Sequence, residues 1–172
     1  GRCRGCDLAG ADLSGMRLMS VDLAGANLQG ARLRKTILFR ADLSGADLRG
    51  ADLDRASLGR VILDNADLTG IDLRDARLAD AEMRGARLSG ANLSGAMLQH
   101  ADLRGADLGD TNLSQATLKN ARLDGASLER ANLAQADLRH VDLRQVTSLR
   151  GADLSGARLH NAHLDGLDLS GN

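Results

Sequence analysis

The sequence predicts an all-β chain wound into a coil of short strands and corners, and three observations carry that prediction. Leucine recurs every fifth residue from Leu8 to Leu143, at 28 positions interrupted only by Met83. Two residues before each leucine stands a small residue, most often alanine, as at Ala26, Ala41, Ala46 and Ala66. The third observation is compositional: 172 residues include one phenylalanine (Phe39), no tryptophan, no tyrosine and no proline, against 20 glycines. Ordinary cores mix flat, branched and linear side chains to fill irregular gaps. A core of leucine and alanine implies a gap that repeats itself.

The five-residue unit reads Ala-(Asp/Asn)-Leu-x-x, as in Ala41-Asp42-Leu43 and Ala91-Asn92-Leu93. On an α-helix, at about 100° per residue, leucines five apart scatter around the axis. On one long strand they alternate between faces. Within a unit, however, the small residue and the leucine are two apart and point the same way, as in a short strand. Glycine then follows two residues after many leucines (Gly10, Gly15, Gly25, Gly45) and tolerates the positive φ of a corner. Strand, corner and strand, always with Ala and Leu inward, make a coil.

This unit repeats over essentially the whole chain, and in it the sequence resembles the pentapeptide-repeat family. The resemblance implies a right-handed quadrilateral parallel β-helix, four pentapeptides to a coil, with leucine and the small residue inward and the other three positions facing solvent. Residues 20 apart then share a face, and the faces are free to differ. The residues before leucine in the Leu23 column are Asp22, Asp42, Ile62, Glu82, Asp102, Arg122 and Asp142; in the Leu18 column they are Arg17, Ile37, Ser57, Arg77, Met97, Thr117 and Asp137. A bare five-residue period would not separate acids in this way, so the columns support four sides.

Residues 6–145 make seven coils, 146–166 an eighth, and the last six residues begin a ninth, about eight coils in one domain spanning 1–172. With strands ~4.8 Å apart the rod is roughly 40 Å long. The register breaks once, near 144–149: after Leu143 the next leucine is Leu149, six residues on. A bulge at a corner is the simplest accommodation.

Charge and cysteine content limit the function. With 22 basic and 23 acidic residues the net charge is −1, which argues against a general nucleic-acid binder. No apolar stretch is long enough to cross a membrane, and the first residues carry no signal-peptide pattern. Cys3 and Cys6 are too few for a disulfide framework, which favours a reducing, cytoplasmic compartment. Cys3 falls on a leucine position and Cys6 on an alanine position, so both are expected as core packing; a zinc site needs four ligands.

No catalytic, cofactor-binding or metal-binding residues are expected. His160-x-x-His163 flanks Leu159 and Leu164 on different corners and reads as surface histidines, the acids read as the solvated position of the repeat, and stretches such as Gly45 to Gly50 are corners with no helix after them to cradle a phosphate. Two faces stand out. The Leu18 face carries Arg17, Met19, Ile37, Phe39, Arg77, Met97, Lys119, Arg139 and Arg158 against one acid, Asp137, with Arg40 and Arg60 at its corner. Exposed apolar side chains beside arginines mark a protein-contact surface. The Leu23 face carries an acidic ladder with Arg84, Arg104, Arg122 and Arg144 interleaved, which reads as a solvated face.

The leading expectation is therefore a non-enzymatic structural or protein-interaction module recognised along one side of a rod. Its rival comes from the family resemblance: some pentapeptide-repeat proteins resemble duplex DNA in width and charge, bind type II topoisomerases and protect them from quinolones or inhibit them. That mechanism wants a strongly negative rod dimerised through a C-terminal cap, whereas arginines are spread throughout this one and no helical pattern follows Leu169. A structural spacer within a larger protein is the third reading. Open coil ends expose unpaired backbone and leucine core, so end-to-end self-association through Leu167 and Leu169 is expected.

Overall fold

The computed structural model describes residues 1–166, and Leu167 and Leu169, with the association expected of them, lie outside the described residues. Turns recur every five residues, and no helix occurs among the described residues. Between turns the residue before a leucine pairs in parallel, at all but a few positions, with its counterpart one coil on: Asp7 with Asn27, Asn27 with Asp47, Asp47 with Asp67. The spacing of 20 residues makes each coil four-sided. The sides are called here the Leu8, Leu13, Leu18 and Leu23 faces, after the first leucine of each.

One unit shows why the sequence folds this way. In Ala41–Gly45, Asp42 N–H donates down to Val21 O (2.9 Å), while Leu43 N–H and Gly45 N–H donate up to Ile62 O (2.7 Å) and Asp64 O (2.8 Å). Ala41 N–H closes the preceding corner onto Leu38 O (2.8 Å). The fifth donor, Ser44 N–H, is left out of the ladder and is taken by the Asp42 carboxylate at 2.9 Å. Every N–H of the pentapeptide is satisfied. The preference for Asp or Asn before leucine thus has a local cause: its side-chain oxygen accepts the otherwise orphaned amide two residues on, as from Ser94 to Asn92 (3.2 Å), Ser114 to Asn112 (3.1 Å) and Ala134 to Asn132 (3.0 Å).

Each corner closes with an N–H of the next small residue on the leucine carbonyl, as from Ala46 to Leu43 at 3.0 Å, and holds positive φ at its third residue, Gly45 at 65°. These are the marks of a type II turn. Glycine was the residue expected at these corners, yet half of the positive-φ positions carry a side chain: Lys35, Arg40, Arg55, Asn65, Asp75 and His100 among them, at φ between 54° and 59°. The ladder on both sides fixes the corner regardless of the residue in it.

The interior is a stack of leucine and alanine. From Leu23 to Leu143 nearly every inward side chain is buried, with Leu28, Leu48, Leu88 and Ala106 at 0–1% exposure. Full burial of a leucine contributes about 2 kcal/mol before conformational entropy is counted. Two threonines replace alanine in the core, and both hydroxyls donate to a carbonyl of the coil below: Thr36 to Leu13 O and Thr111 to Leu88 O, each at 2.8 Å. A buried hydroxyl without such a partner would destabilise the stack.

At the register break the ladder pairing changes from 20 to 21 residues, with Ser127 on Ser148 and Asn132 on Asp153. The corner itself closes normally, Val146 N–H on Leu143 O at 3.2 Å. The extra residue is absorbed on the face, not at the corner where simplicity would put it. Thr147 N–H donates to Ala126 O and Ser148 O accepts from Leu128 N–H, both at 2.8 Å, so two residues lie opposite Ser127. This is a β-bulge.

The cysteine expectation needs correction. Cys3 and Cys6 do occupy inward positions, but they are joined as a disulfide with Cα atoms 5.3 Å apart. The reason is the corner: a leucine position and the small position three residues later face the same interior across one turn, Cys6 N–H donating to Cys3 O at 3.2 Å. That Cα separation lies in the range a disulfide spans. The bond removes the support that two free thiols gave to a reducing compartment.

Candidate interaction faces

The Leu18 face gathers the candidate contact residues in one stacked column: Arg17 pairs with Ile37, Ile37 with Ser57, Ser57 with Arg77, Arg77 with Met97 and Met97 with Thr117. Met19 is 54% exposed and its neighbour at the foot of the rod, Met16, 46% exposed. Ile37, Phe39 and Met97 are half-buried. The Phe39 ring lies over Gly59 of the next coil, close enough that a Cβ there would meet Cδ2 at 3.3 Å. The Arg40 guanidinium sits 5.4 Å from the centre of the same ring, within reach of a cation–π attraction.

The cations of this face fall into two groups. Arg139 and Arg158 both turn onto Asp137, at 2.6 and 3.7 Å. The hydrogen bond from Arg139 holds the largely buried Asp137 carboxyl below the ordinary carboxylate range, against the opposing effect of burial. Arg60 reaches Asp80 at 3.6 Å. Arg17, Arg40, Arg77 and Lys119 make no ion pair among the described residues. Arg139, a candidate by sequence, is therefore neutralised locally, and Arg40, which was placed only at the corner, joins the unpaired set. With its corner the Leu18 face holds seven cations and two acids, leaving a net −6 for the rest of a chain whose total is −1.

The Leu23 face behaves as a solvated ladder. Arg84 reaches Asp64 at 2.7 Å and Asp102 at 3.7 Å and also binds Glu82. Arg104 holds Asp102 and Arg144 holds Asp142, each at 2.6 Å. The Arg144 hydrogen bond brings the Asp142 carboxyl down to about 2. Stacked like charges repel, and the interleaved arginines offset that.

Of the remaining candidates, His160 lies on the Leu18 face, edge-on to His140 with ring centres 6.3 Å apart. His163 pairs with Asp142 on the Leu23 face. Among the described residues no three His, Cys, Asp or Glu side chains converge to hold a metal ion, and no helix is long and apolar enough to cross a membrane.

Comparison with a family model agrees with this architecture. A family model described as pentapeptide repeats matches in eight copies over residues 2–38, 36–75, 71–110, 106–145 and 147–171. Among solved structures the chain is similar to HetL, a pentapeptide repeat protein involved in heterocyst differentiation regulation from the cyanobacterium Nostoc sp. strain PCC 7120. The identity is 32%, over 96% of this chain and 86% of that one, with a TM-score of 0.29. It is also similar to QnrB1, a plasmid-mediated fluoroquinolone resistance protein, at 22% identity over 94% and 93% of the two chains, TM-score 0.41. Rfr23 from the cyanobacterium Cyanothece 51142 matches at 22% identity over 96% and 88%, TM-score 0.24. No curated protein sequence matches. The chain belongs to the pentapeptide-repeat family and winds as its right-handed quadrilateral β-helix.

Proposed function

We propose that this protein is a non-enzymatic interaction module that docks an acidic protein segment, bearing apolar anchors, along its Leu18 face. One observation carries the reading: the unpaired cations Arg17, Arg40, Arg77 and Lys119 share a face with exposed Met19 and half-buried Ile37, Phe39 and Met97. Elsewhere on the rod most arginines already hold a carboxylate. Aromatic, methionine and arginine side chains are the residues enriched at contact surfaces. Unpaired charge steers a partner of opposite sign, and apolar anchors supply the desolvated contact that holds it.

The test is a titration of ¹⁵N-labelled protein with an acidic peptide containing phenylalanine and leucine. Shifts confined to the Leu18 face, abolished in the Arg17→Glu/Arg77→Glu variant and weakened by salt, are the expected result. No shifts, or shifts spread evenly over four faces, would remove this reading. The topoisomerase-directed alternative suggested by family resemblance fits less well, because the acidic ladder it needs is neutralised by Arg84, Arg104 and Arg144.

A further inference from the structure

We infer that the rod contains a hinge between its third coil (residues 46–65) and fourth coil (66–85), opening on the Leu13 face. Across this seam a run of ladder hydrogen bonds is absent: Gly50 N–H to Thr69, Leu53 to Asp72, Arg55 to Arg74, and the returning donation of Asp72 to Ala51, while the next pairing, Ser57 with Arg77, persists. One coil up, every equivalent position is bonded, with Leu73 to Asn92 at 2.7 Å, Asp75 to Ser94 at 2.9 Å, Leu78 to Met97 at 2.8 Å and Asn92 to Ile71 at 2.8 Å. The pairing of residue 52 with 72 is missing from an otherwise continuous column. The ladder is whole on both sides of the gap: Leu48 N–H meets Asp67 O at 2.9 Å and Arg60 N–H meets Ala79 O at 3.1 Å. A shorter interruption occurs at Leu123 and Asp142, just before the bulge.

Two features of the sequence account for the opening. The small-residue column of the Leu13 face reads Ala11, Ala31, Ala51, Ile71, Ala91, and Ile71 is buried directly above Ala51. Interiors at crystal-like density do not absorb three extra carbons without movement. Bulk alone is not sufficient, because Val61 over Ala41 leaves its ladder closed, Ile62 N–H to Ala41 O at 2.9 Å. The second feature is charge. Asp52 and Asp72 are successive in the column, and no cation bridges them: Arg74 turns back onto Asp72 at 2.7 Å and Arg34 reaches Asp54 and Asp52 from below at 3.1 and 3.4 Å. On the Leu8 face the equally stacked Asp47 and Asp67 are tied by Arg49, at 2.6 and 3.5 Å, and the strand there stays shut up to its Gly50 corner, Asp67 N–H donating to Ala46 O at 2.9 Å. The result is a cleft of about 350 Å³ between Ala51, Leu53, Asp72 and Arg74. Closed on one side and open on the other, the seam permits bending without loss of the leucine stack.

Local opening of this kind is drawn from segments with few protected backbone bonds. The gap ends at the Arg55 corner, where the Leu18 face begins and Ser57 still pairs with Arg77, so bending there changes the distance from Phe39 and Arg40 to Arg77 and Met97. That consequence rests on the contact role proposed for the Leu18 face; the hinge itself does not.

Hydrogen exchange on the full chain tests the hinge without any partner. The amides of Leu53, Arg55 and Asp72 are expected to exchange on the order of 100-fold faster than those of Leu73, Asp75 and Asn92. Ile71→Ala is expected to restore protection at the seam. As a second measurement, spin labels at Ser14→Cys and Ser94→Cys, both on the Leu13 face and spanning the gap, should give a broad distance distribution that narrows in the Ile71→Ala background. Equal protection of the two sets of amides together with a narrow distribution in the parent would overturn the inference. Because neither measurement involves a ligand, failure of the hinge and failure of the contact reading are separable.

Discussion

Leu88 lies at mid-rod with no exposed surface, and its carbonyl accepts the Thr111 hydroxyl of the coil above at 2.8 Å. Leu88→Ala removes three buried carbons from a stack whose neighbours are held by ladders on every side. The hole cannot collapse without breaking Leu88 N–H to Asp107 O at 2.8 Å. Little relaxation puts the cost within the ~2–5 kcal/mol seen for deeply buried leucines. For a domain of this size, roughly 2–4 °C per kcal/mol converts that to a fall of about 10 °C in Tm. The matched surface change is Arg77→Ala, which removes a side chain that makes no ion pair among the described residues and should cost within ~0.5 kcal/mol. Circular dichroism melts of the two variants beside the parent decide the matter. Equal losses would mean that the fifth-residue leucines are not the core and that the inward–outward assignment is wrong.

Lys35 holds φ of 57° at a corner and makes no ion pair among the described residues; Lys35→Gly should raise stability by ~0.5–1 kcal/mol, read as a higher denaturation midpoint. Arginine hydrogen bonds hold the carboxyls of Asp72, Asp102, Asp137 and Asp142 below their ordinary value, Asp142 at about 2. Such groups are more acidic folded than unfolded, so their stabilisation is complete above about pH 4–5 and is lost as pH falls toward about 2; Tm measured from pH 7 to pH 2 should stay level and then drop, and a drop beginning above pH 6 would contradict this. The Cys3–Cys6 bridge closes a very short loop, so Cys3→Ser/Cys6→Ser should cost about 2 kcal/mol or less, below Leu88→Ala in the same melt. In a DNA supercoiling assay with gyrase the purified protein at micromolar concentration should have no effect, and clear inhibition would promote the topoisomerase reading.

The fold was legible because its determinants repeat. Any one Ala-Asp-Leu is weak evidence, but the same three positions in register from Leu8 to Leu143 leave one geometry that satisfies them all. The acids of the Leu23 column went further and showed four sides. What the pattern concealed was the purpose of its second position. Asp42, Asn92 and Asn112 look like solvated filler, yet each accepts a corner amide that the ladder cannot use. The signal was present in the preference for Asp and Asn, the two side chains that reach a backbone amide two residues on. The cysteine pair was misread for a related reason: position within the repeat places both thiols inward, but only the corner's closeness, 5.3 Å between Cα atoms, shows that they face each other.

The surface was less legible because a net charge of −1 averages over sides that differ. Sequence columns place Arg17, Arg77 and Arg139 together as equals, while the structure separates them by what each one touches. Arg139 belongs to Asp137, two residues before it; Arg17 and Arg77 have no acid within reach on their own column. The same rule explains the seam. Asp47 over Asp67 and Asp52 over Asp72 are identical pairs in a list of columns, but Arg49 spans the first, whereas in the second Arg74 stays on Asp72 and Ile71 is packed above Ala51. In a fold whose backbone is nearly invariant from coil to coil, the informative positions are those where a unit departs from its neighbours 20 residues away. Ile71 in a column of alanines and Arg74 turned back onto Asp72 are such departures, and both fall at the same break in the ladder. Binding and bending in this rod therefore belong to the exceptions to its repeat, and the repeat itself supplies the rigid frame against which they act.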